Sequence, residues 1–358
     1  MAQKVMIIAE AGVNHNGSLD TAKRLAEAAC RAGADAVKFQ SFRTSELLCQ
    51  SAPKAQYQLK STSASESQFE MIRSLELSEA DHWALVEHCA LLGIEFMSSA
   101  FDVGSVELLS RCGMARYKVP SGEITNAPLL LAIASTGKPV LLSTGMTTIE
   151  EIEDALGVLA YGYLGAGEKP SMDAFRRALT QEAGRKAVQQ LVTVLHCTSE
   201  YPCPFPEVNL RVLSTLRAQF DLPVGFSDHS PGILAPLAAV ALGATVVEKH
   251  LTLDKQLPGP DHKASLDPAE LGEMVKAIRI IEVALGSEMK NPAPSEQKNI
   301  AIVRKSLVAR CAIVAGEAFT EANLAIKRPG TGLSPYKYWE LLGTRAPRAF
   351  AADEQITL

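Results

Sequence analysis

Apolar residues follow two alternating rhythms along this chain. Short runs, apolar throughout or at every second position, are followed by longer stretches where they recur every three or four residues. The short runs are VMIIAE (5–10), DAVKFQ (35–40), IEFMSS (94–99), ARYKVPS (115–121), PVLLST (139–144), LVTVLHC (191–197), PVGFS (223–227) and TVVEKHL (245–251). The longer stretches include LDTAKRLAEAACRAG, EADHWALVEHCALLG and APLLLAIASTG, each closed by the glycine that commonly caps a helix. Eight strand–helix repeats in about 285 residues predict an α/β fold, a TIM (β/α)8 barrel. A doubly wound open sheet competes, but it usually has fewer repeats and often a glycine-rich first turn, and AGVNHNG lacks the GxGxxG pattern.

Three segments interrupt the repeat. Residues 41–78 form a long connection after the second strand and contain the helix-prone SASESQFEMIRSLELS. Residues 163–188 precede the sixth strand, on the side of a barrel away from its active face, and read as a surface loop. Near 287–298 the polar, proline-containing SEMKNPAPSEQKN reads as a linker. The expected organisation is a barrel over 1–286, a linker over 287–298 and a small domain over 299–358, built of short strand and turn segments.

Composition narrows the function classes. The 358 residues are 47% hydrophobic with a net charge of −5, as in ordinary soluble globular chains. No basic block suggests nucleic acid, and no stretch approaches the ~20 apolar residues of a membrane span. Seven cysteines lie singly at positions 30, 49, 89, 112, 197, 203 and 311, without a CxxC pair. That pattern, with an N-terminal apolar run too short for a signal peptide, predicts reduced thiols and a cytoplasmic protein.

The active face of a TIM barrel is where its strands end. Here every strand end is polar: Glu10; Lys38 and Gln40; Ser98 and Ser99; Lys118, Ser121 and Glu123; Ser143 and Thr144; His196, Thr198, Ser199 and Tyr201; Ser227, Asp228 and His229; Glu248, Lys249 and His250. In VKFQ, Val37 and Phe39 alternate with Lys38 and Gln40, so if the apolar pair faces the helices the polar pair faces the barrel interior. The same parity places Lys118 inside. A buried ammonium needs a partner. Either these lysines await an anionic phosphate or carboxylate, or they pair with Glu10 or Glu123 in a structural network. His229 and His250 end consecutive strands, which neighbour each other about 4.8 Å apart in a sheet. With Glu10 near, two imidazoles there suit a divalent ion such as Mn²⁺, Fe²⁺, Co²⁺ or Zn²⁺. His15, His82, His88 and His262 lack such company, and His82 and His88 read as helix-surface residues. The chemistry this set suggests is a metal-polarised carbonyl beside an anionic substrate.

Taken in order, AEAGVNHNG, AVKFQSF, YKVPSGEI, VLLSTGM, HCTSEYP, GFSDHS, EKHLTL and GPDHKASL resemble the sialic acid synthase family, and KRPGTGLSP resembles its C-terminal antifreeze-like (SAF) domain. The resemblance implies a transferase that condenses phosphoenolpyruvate with an N-acylated mannosamine-type sugar, releasing phosphate by C–O cleavage. It implies N-acetylmannosamine as acceptor first and 2,4-diacetamido-2,4,6-trideoxymannose, the legionaminic acid precursor, second. GPDHKASLDPAEL points to these branches rather than the pseudaminic one. His229 and His250 are then metal ligands, with Mn²⁺ expected first and Mg²⁺ or Co²⁺ as alternatives. Lys38, Lys118, Ser121, Ser143 and Ser227 hold phosphoenolpyruvate. Gln40, Ser199, Tyr201 and Asp261 lie where the sugar sits, Ser199 standing where some members have Asn. Glu10 and Glu123 flank the metal and the attacking water, with Glu123 positioning that water; the role of Asp228, beside the metal ligand, is left open, orientation of that ligand being one reading. Arg328 reaches the acyl group across a domain-swapped homodimer.

Two other classes fit parts of the pattern. A lysine Schiff-base aldolase on the same barrel would use Lys38 or Lys118 as nucleophile. A non-catalytic binding module on an inactive barrel is opposed by the complete set of strand-end groups.

Overall fold

The computed structural model describes residues 4–55, 58–59, 66–165 and 167–358. Eight parallel strands close into a barrel in chain order: β1 (Met6–Gly12), β2 (Ala36–Ser41), β3 (Glu95–Ala100), β4 (Tyr117–Val119), β5 (Val140–Ser143), β6 (Val192–Cys197), β7 (Val224–Asp228) and β8 (Val246–His250), the last pairing back onto β1. A helix follows each strand, and local chemistry sets where many of them start. Ser18, Ser78, Asp102, Asn126, Thr148 and Asp267 each accept a backbone N–H of the first helical turn, which is otherwise left without a partner. No helix among the described residues is long and apolar enough to cross a membrane.

Strand parity divides the core in two. Ile7, Val37, Phe39, Val119, Leu142, Val194, Phe226 and Val247 face the helices. Ile8, Ala36, Met97, Leu141, Leu195 and Val246 face inward and plug the barrel. The plug is tight at Gly225, where an added Cβ would stand 2.5 Å from Leu195 Cδ2 and 2.8 Å from the Val246 carbonyl oxygen. Gly225→Ala is therefore expected to destabilise the barrel by about 1–3 kcal/mol, measured as a lower thermal midpoint; an unchanged midpoint would contradict this packing. The wall is uneven. β1 and β2 meet along several residues, whereas β4 is three residues long and meets β3 through one register pair, Ser99 with Lys118.

Three sequence expectations are corrected. The 163–188 segment is not a loose loop. It contains a helix over Met172–Thr180 and enters a second over Glu182–Leu191. The first packs on the helix before it, with Phe175 edge-on to Tyr161 at 5.1 Å between centroids, because its apolar residues recur at helical spacing. His82 is not on a surface: it is buried, with Nε2 2.6 Å from Ser41 Oγ and Nδ1 2.8 Å from the Ser78 carbonyl. His88 is half-buried beside Glu27, at 3.4 Å. Within the expected linker, the chain already turns into a helix at Pro294–Val303.

The chain divides into two compact units, Met1–Gly286 and Ser287–Leu358. The second has its own core around Leu307, Ile313, Phe319 and Phe350, and an antiparallel pair, β9 (Ser306–Ala309) and β10 (Leu324–Lys327). Arg328 follows β10 and is exposed.

Candidate active site

Two residues beyond the inward-facing plug positions, seven of the eight strands change chemistry while keeping their inward face. Ile8 is succeeded by Glu10, Ala36 by Lys38, Met97 by Ser99, Leu141 by Ser143, Leu195 by Cys197, Gly225 by Ser227 and Val246 by Glu248. One further step gives Gln40, Ser199, His229 and His250. These residues, with Lys118, Ser121, Tyr201 and Asp261, line one cavity of about 360 Å³ at the C-terminal end of the barrel. That is the size and place of a small-molecule site.

The floor is an ionic cluster. Lys38 forms an ion pair with Glu10 and donates to Ser99 Oγ at 3.0 Å, with Glu248 3.7 Å away. Lys118 donates to Glu248 Oε1 at 3.1 Å, and Ser227 donates to the same oxygen at 2.8 Å. Gln40 donates to Glu10 Oε1 at 3.3 Å. Burial alone would raise both carboxyls. At Glu10 burial wins over the pull of Lys38, and its pKa lies above the ordinary value. At Glu248 burial is outweighed by Lys118 and Lys38, which hold it far below the usual carboxylate range. Burial opposes the charge on Lys38 too, but Glu10 and Glu248 keep its pKa raised.

Above the floor lies a cluster of rings. His229 and His250 have centroids 5.3 Å apart, and Tyr201 packs on both, at 4.0 Å and 5.6 Å. The Thr198 carbonyl lies 2.7 Å from His229 Nδ1. A carbonyl can only accept, so Nδ1 carries a proton and Nε2 is the nitrogen left to bind a cation. Burial opposes charge on this ring, but Cys197, 3.7 Å from Nδ1, and the Thr198 carbonyl raise its pKa above the ordinary histidine value. His250 Nδ1 is buried without a hydrogen-bond partner, and Asp261 Oδ2 stands 4.0 Å from it. Burial, then the neighbouring His229, push His250 well below the usual histidine value, so its ring is neutral. Burial raises Asp261 to about 6. Among the described residues no three His, Cys, Asp or Glu side chains gather as a complete metal site. Two adjacent imidazoles, one with an orphaned buried nitrogen, nevertheless fit a divalent ion, which would take the place of a proton on His229 and leave other positions to water or substrate. Ser143 Oγ is a second buried, unpartnered group of this cavity.

Not every expected residue arrives here. Glu123 lies in a turn after β4, accepts from Asn126 Nδ2 at 2.8 Å, and does not line the cavity. Asp228 points away from the histidines' side of the strand. It pairs with the fully buried Lys249 and accepts the Ser230 N–H at 2.8 Å, so it does not orient His229 by direct contact. His196 also faces outward, against the Val208 carbonyl at 2.7 Å. Arg328 belongs to the second unit. Conversely, Glu248, a polar strand end to which sequence assigns no role, and Cys197, which sequence passes over, both line the cavity. Parity from His250 marks the first, and parity from Ser199 the second. The loop after β5 crosses close by. Gly145 donates to Ser121 Oγ at 2.9 Å, and a Cβ there would stand 2.3 Å from Ser199 Oγ.

Comparison with known proteins is consistent along the chain. Residues 25–290 match the NeuB family and residues 304–358 the SAF domain. The chain is 49% identical over 354 residues to the N,N'-diacetyllegionaminic acid synthase of Campylobacter jejuni, covering 99% of both. It is 44% identical to the enzyme of the same name from Legionella pneumophila, covering 95% of this chain and 89% of that one. The crystal structure of the N-acetylneuraminic acid (sialic acid) synthetase of Leptospira borgpetersenii superposes with a TM-score of 0.67 at 32% identity, covering 83% of this chain and 90% of that one.

Proposed function

Because this chain belongs to the NeuB family and carries a SAF domain, we propose that it condenses phosphoenolpyruvate with 2,4-diacetamido-2,4,6-trideoxymannose, giving a nine-carbon 2-keto acid and phosphate. The observation that carries the condensation is the buried pair Lys38 and Lys118 on the floor of a cavity roofed by His229 and His250. The acceptor reverses the order of the two sugars expected from sequence. N-acetylmannosamine came first there, and the two legionaminic acid synthases now support the second.

In this reading Lys38 and Lys118 hold the anionic groups of phosphoenolpyruvate, with the hydroxyls of Ser121, Ser143 and Ser227. Gln40, Ser199, Tyr201 and Asp261 border the acceptor. His229 and His250 would hold a divalent ion, Mn²⁺ first, whose chemistry when bound would be that of a Lewis acid beside the aldehyde. The C2=C3 π pair of phosphoenolpyruvate forms the bond from C3 to the aldehyde carbon, and the aldehyde oxygen takes the C=O pair and a proton to become a hydroxyl, a proton balanced by the one lost from the water that adds at C2. Water adds at C2, and breakage of the C2–O bond releases phosphate. Glu10, the floor carboxyl with the raised pKa, exchanges the proton of that water, a role sequence had given to Glu123. Lys38 suits ion binding better than Schiff-base chemistry. Glu10 and Glu248 favour its charged form, whereas a nucleophilic amine must lose its proton. The domain-swapped homodimer, with Arg328 at the acyl group, belongs to the same proposal.

The test is phosphate release from phosphoenolpyruvate after chelation and Mn²⁺ add-back, with the two sugars supplied in parallel. Metal-restored release that favours the diacetamido sugar is expected. Preference for N-acetylmannosamine would reassign the acceptor, and release with neither would overturn the reading.

A further inference from the structure

The cavity lining is chemically mixed. Its floor carries Lys38 and Lys118, with the serines and the histidines beside them. Segments that follow β1, β2 and β3 add Val13, Ala55, Gln58, Ile72 and Phe101, with Gln58 Oε1 accepting the Ala55 N–H at 2.9 Å. Ile72 and Phe101 are half-buried and pack on a small cluster of Val13, Phe42 and Leu75. Phe101 is set edge-on to Phe42, with centroids 6.1 Å apart. Ile72 sits on the short helix Gln68–Arg73, whose start is fixed by reciprocal bonds between Ser67 and Glu70. Val13, Ile72 and Phe101 thus form a supported apolar wall of the site. Among the described residues lining the cavity, the only ammonium groups are Lys38 and Lys118, both on the floor.

We infer that Ile72, backed by Val13 and Phe101, receives the methyl-bearing C4–C6 end of the acceptor and selects a 6-deoxy, 4-acetamido sugar over one with hydroxyls at those carbons. The inference rests on the proposed condensation and adds the residue that sets its acceptor. A hydroxyl pressed against Ile72 and Phe101 loses water without gaining a partner from them, whereas a methyl gains burial. One methyl in an apolar pocket commonly discriminates by about 10-fold or more.

The experiment compares kcat/KM for 2,4-diacetamido-2,4,6-trideoxymannose and N-acetylmannosamine in the full-length protein, Ile72→Ser and Ile72→Leu. Because Ile72 is half-buried and on a peripheral helix, its truncation should spare the barrel. The preference for the diacetamido sugar is expected to fall about 10-fold in Ile72→Ser and to be retained in Ile72→Leu. An unchanged preference in Ile72→Ser, with turnover intact, overturns the wall assignment and leaves the condensation standing. Loss of turnover with both sugars in a folded Ile72→Ser also counts against it, since a wall contact should spare the smaller acceptor. Turnover of neither sugar by the unaltered protein overturns the condensation, and the inference with it.

Discussion

Lys118→Met should abolish most phosphate release and weaken the fold at once. Removing the ammonium takes away one of two cations proposed to hold phosphoenolpyruvate, a loss of at least about 10²-fold in kcat/KM by analogy with deleting one preorganised electrostatic contact. It also leaves Glu248 buried, with Lys38 3.7 Å away as its remaining cation. Breaking one side of a buried pair costs roughly 3–5 kcal/mol. The two effects separate in Lys118→Met/Glu248→Gln, which should recover much of the stability and none of the activity. The pH dependence carries a sign. Glu248 has a depressed folded pKa, so it contributes stability above the ordinary carboxylate pKa and loses it as pH falls through the lowered value. Without Lys118 that pKa must rise, and protonation then relieves the stranded charge at milder acidity. The stability deficit should therefore be larger at pH 7 than at pH 4.5 in urea unfolding. A constant deficit, or activity within a few-fold of the unaltered protein, would refute the assigned role of the cluster.

His229→Ala should lower metal-restored turnover by roughly 10³-fold, the scale of several kcal/mol of Lewis-acid stabilisation. The fold should persist, because the ring's ties are the Thr198 carbonyl at 2.7 Å, worth about 1 kcal/mol, a longer contact to Cys197 Sγ at 3.7 Å and packing on Tyr201, none of them in the barrel plug. Bound Mn²⁺ per chain, measured by elemental analysis after dialysis, gives a second readout and should fall together with activity. A variant that keeps both would show that the imidazole pair is structural.

The barrel and its polar floor were legible because both follow from a period of two. The parity that put Val37 outside put Lys38 inside, and the cavity holds it there. The partners were less legible. Lys118 meets Glu248, 130 residues away, and which strand ends face each other across a closed barrel depends on closure and stagger, which no local pattern states. Glu123 was misplaced because strand periodicity ends at Val119, and beyond Pro120 the chain turns through a short 3₁₀ segment. Asp228, whose role sequence leaves open, turns away from the site for a different reason. It adjoins His229 in sequence, but adjacent strand residues face opposite ways, and Ser227 and His229 both line the cavity. His82 illustrates the limit of polarity as a guide to exposure, since a histidine whose two nitrogens both find partners can be buried.

The thin join between β3 and β4 bears on how this protein would fail under heat. Local opening starts where the fewest backbone bonds must break, and here that place adjoins Lys118 itself. The capped helices and the broad β2–β3 and β1–β8 pairings would hold the barrel together while this seam breathes. Working life at elevated temperature would then be set by one three-residue strand, well before the molecule as a whole comes apart.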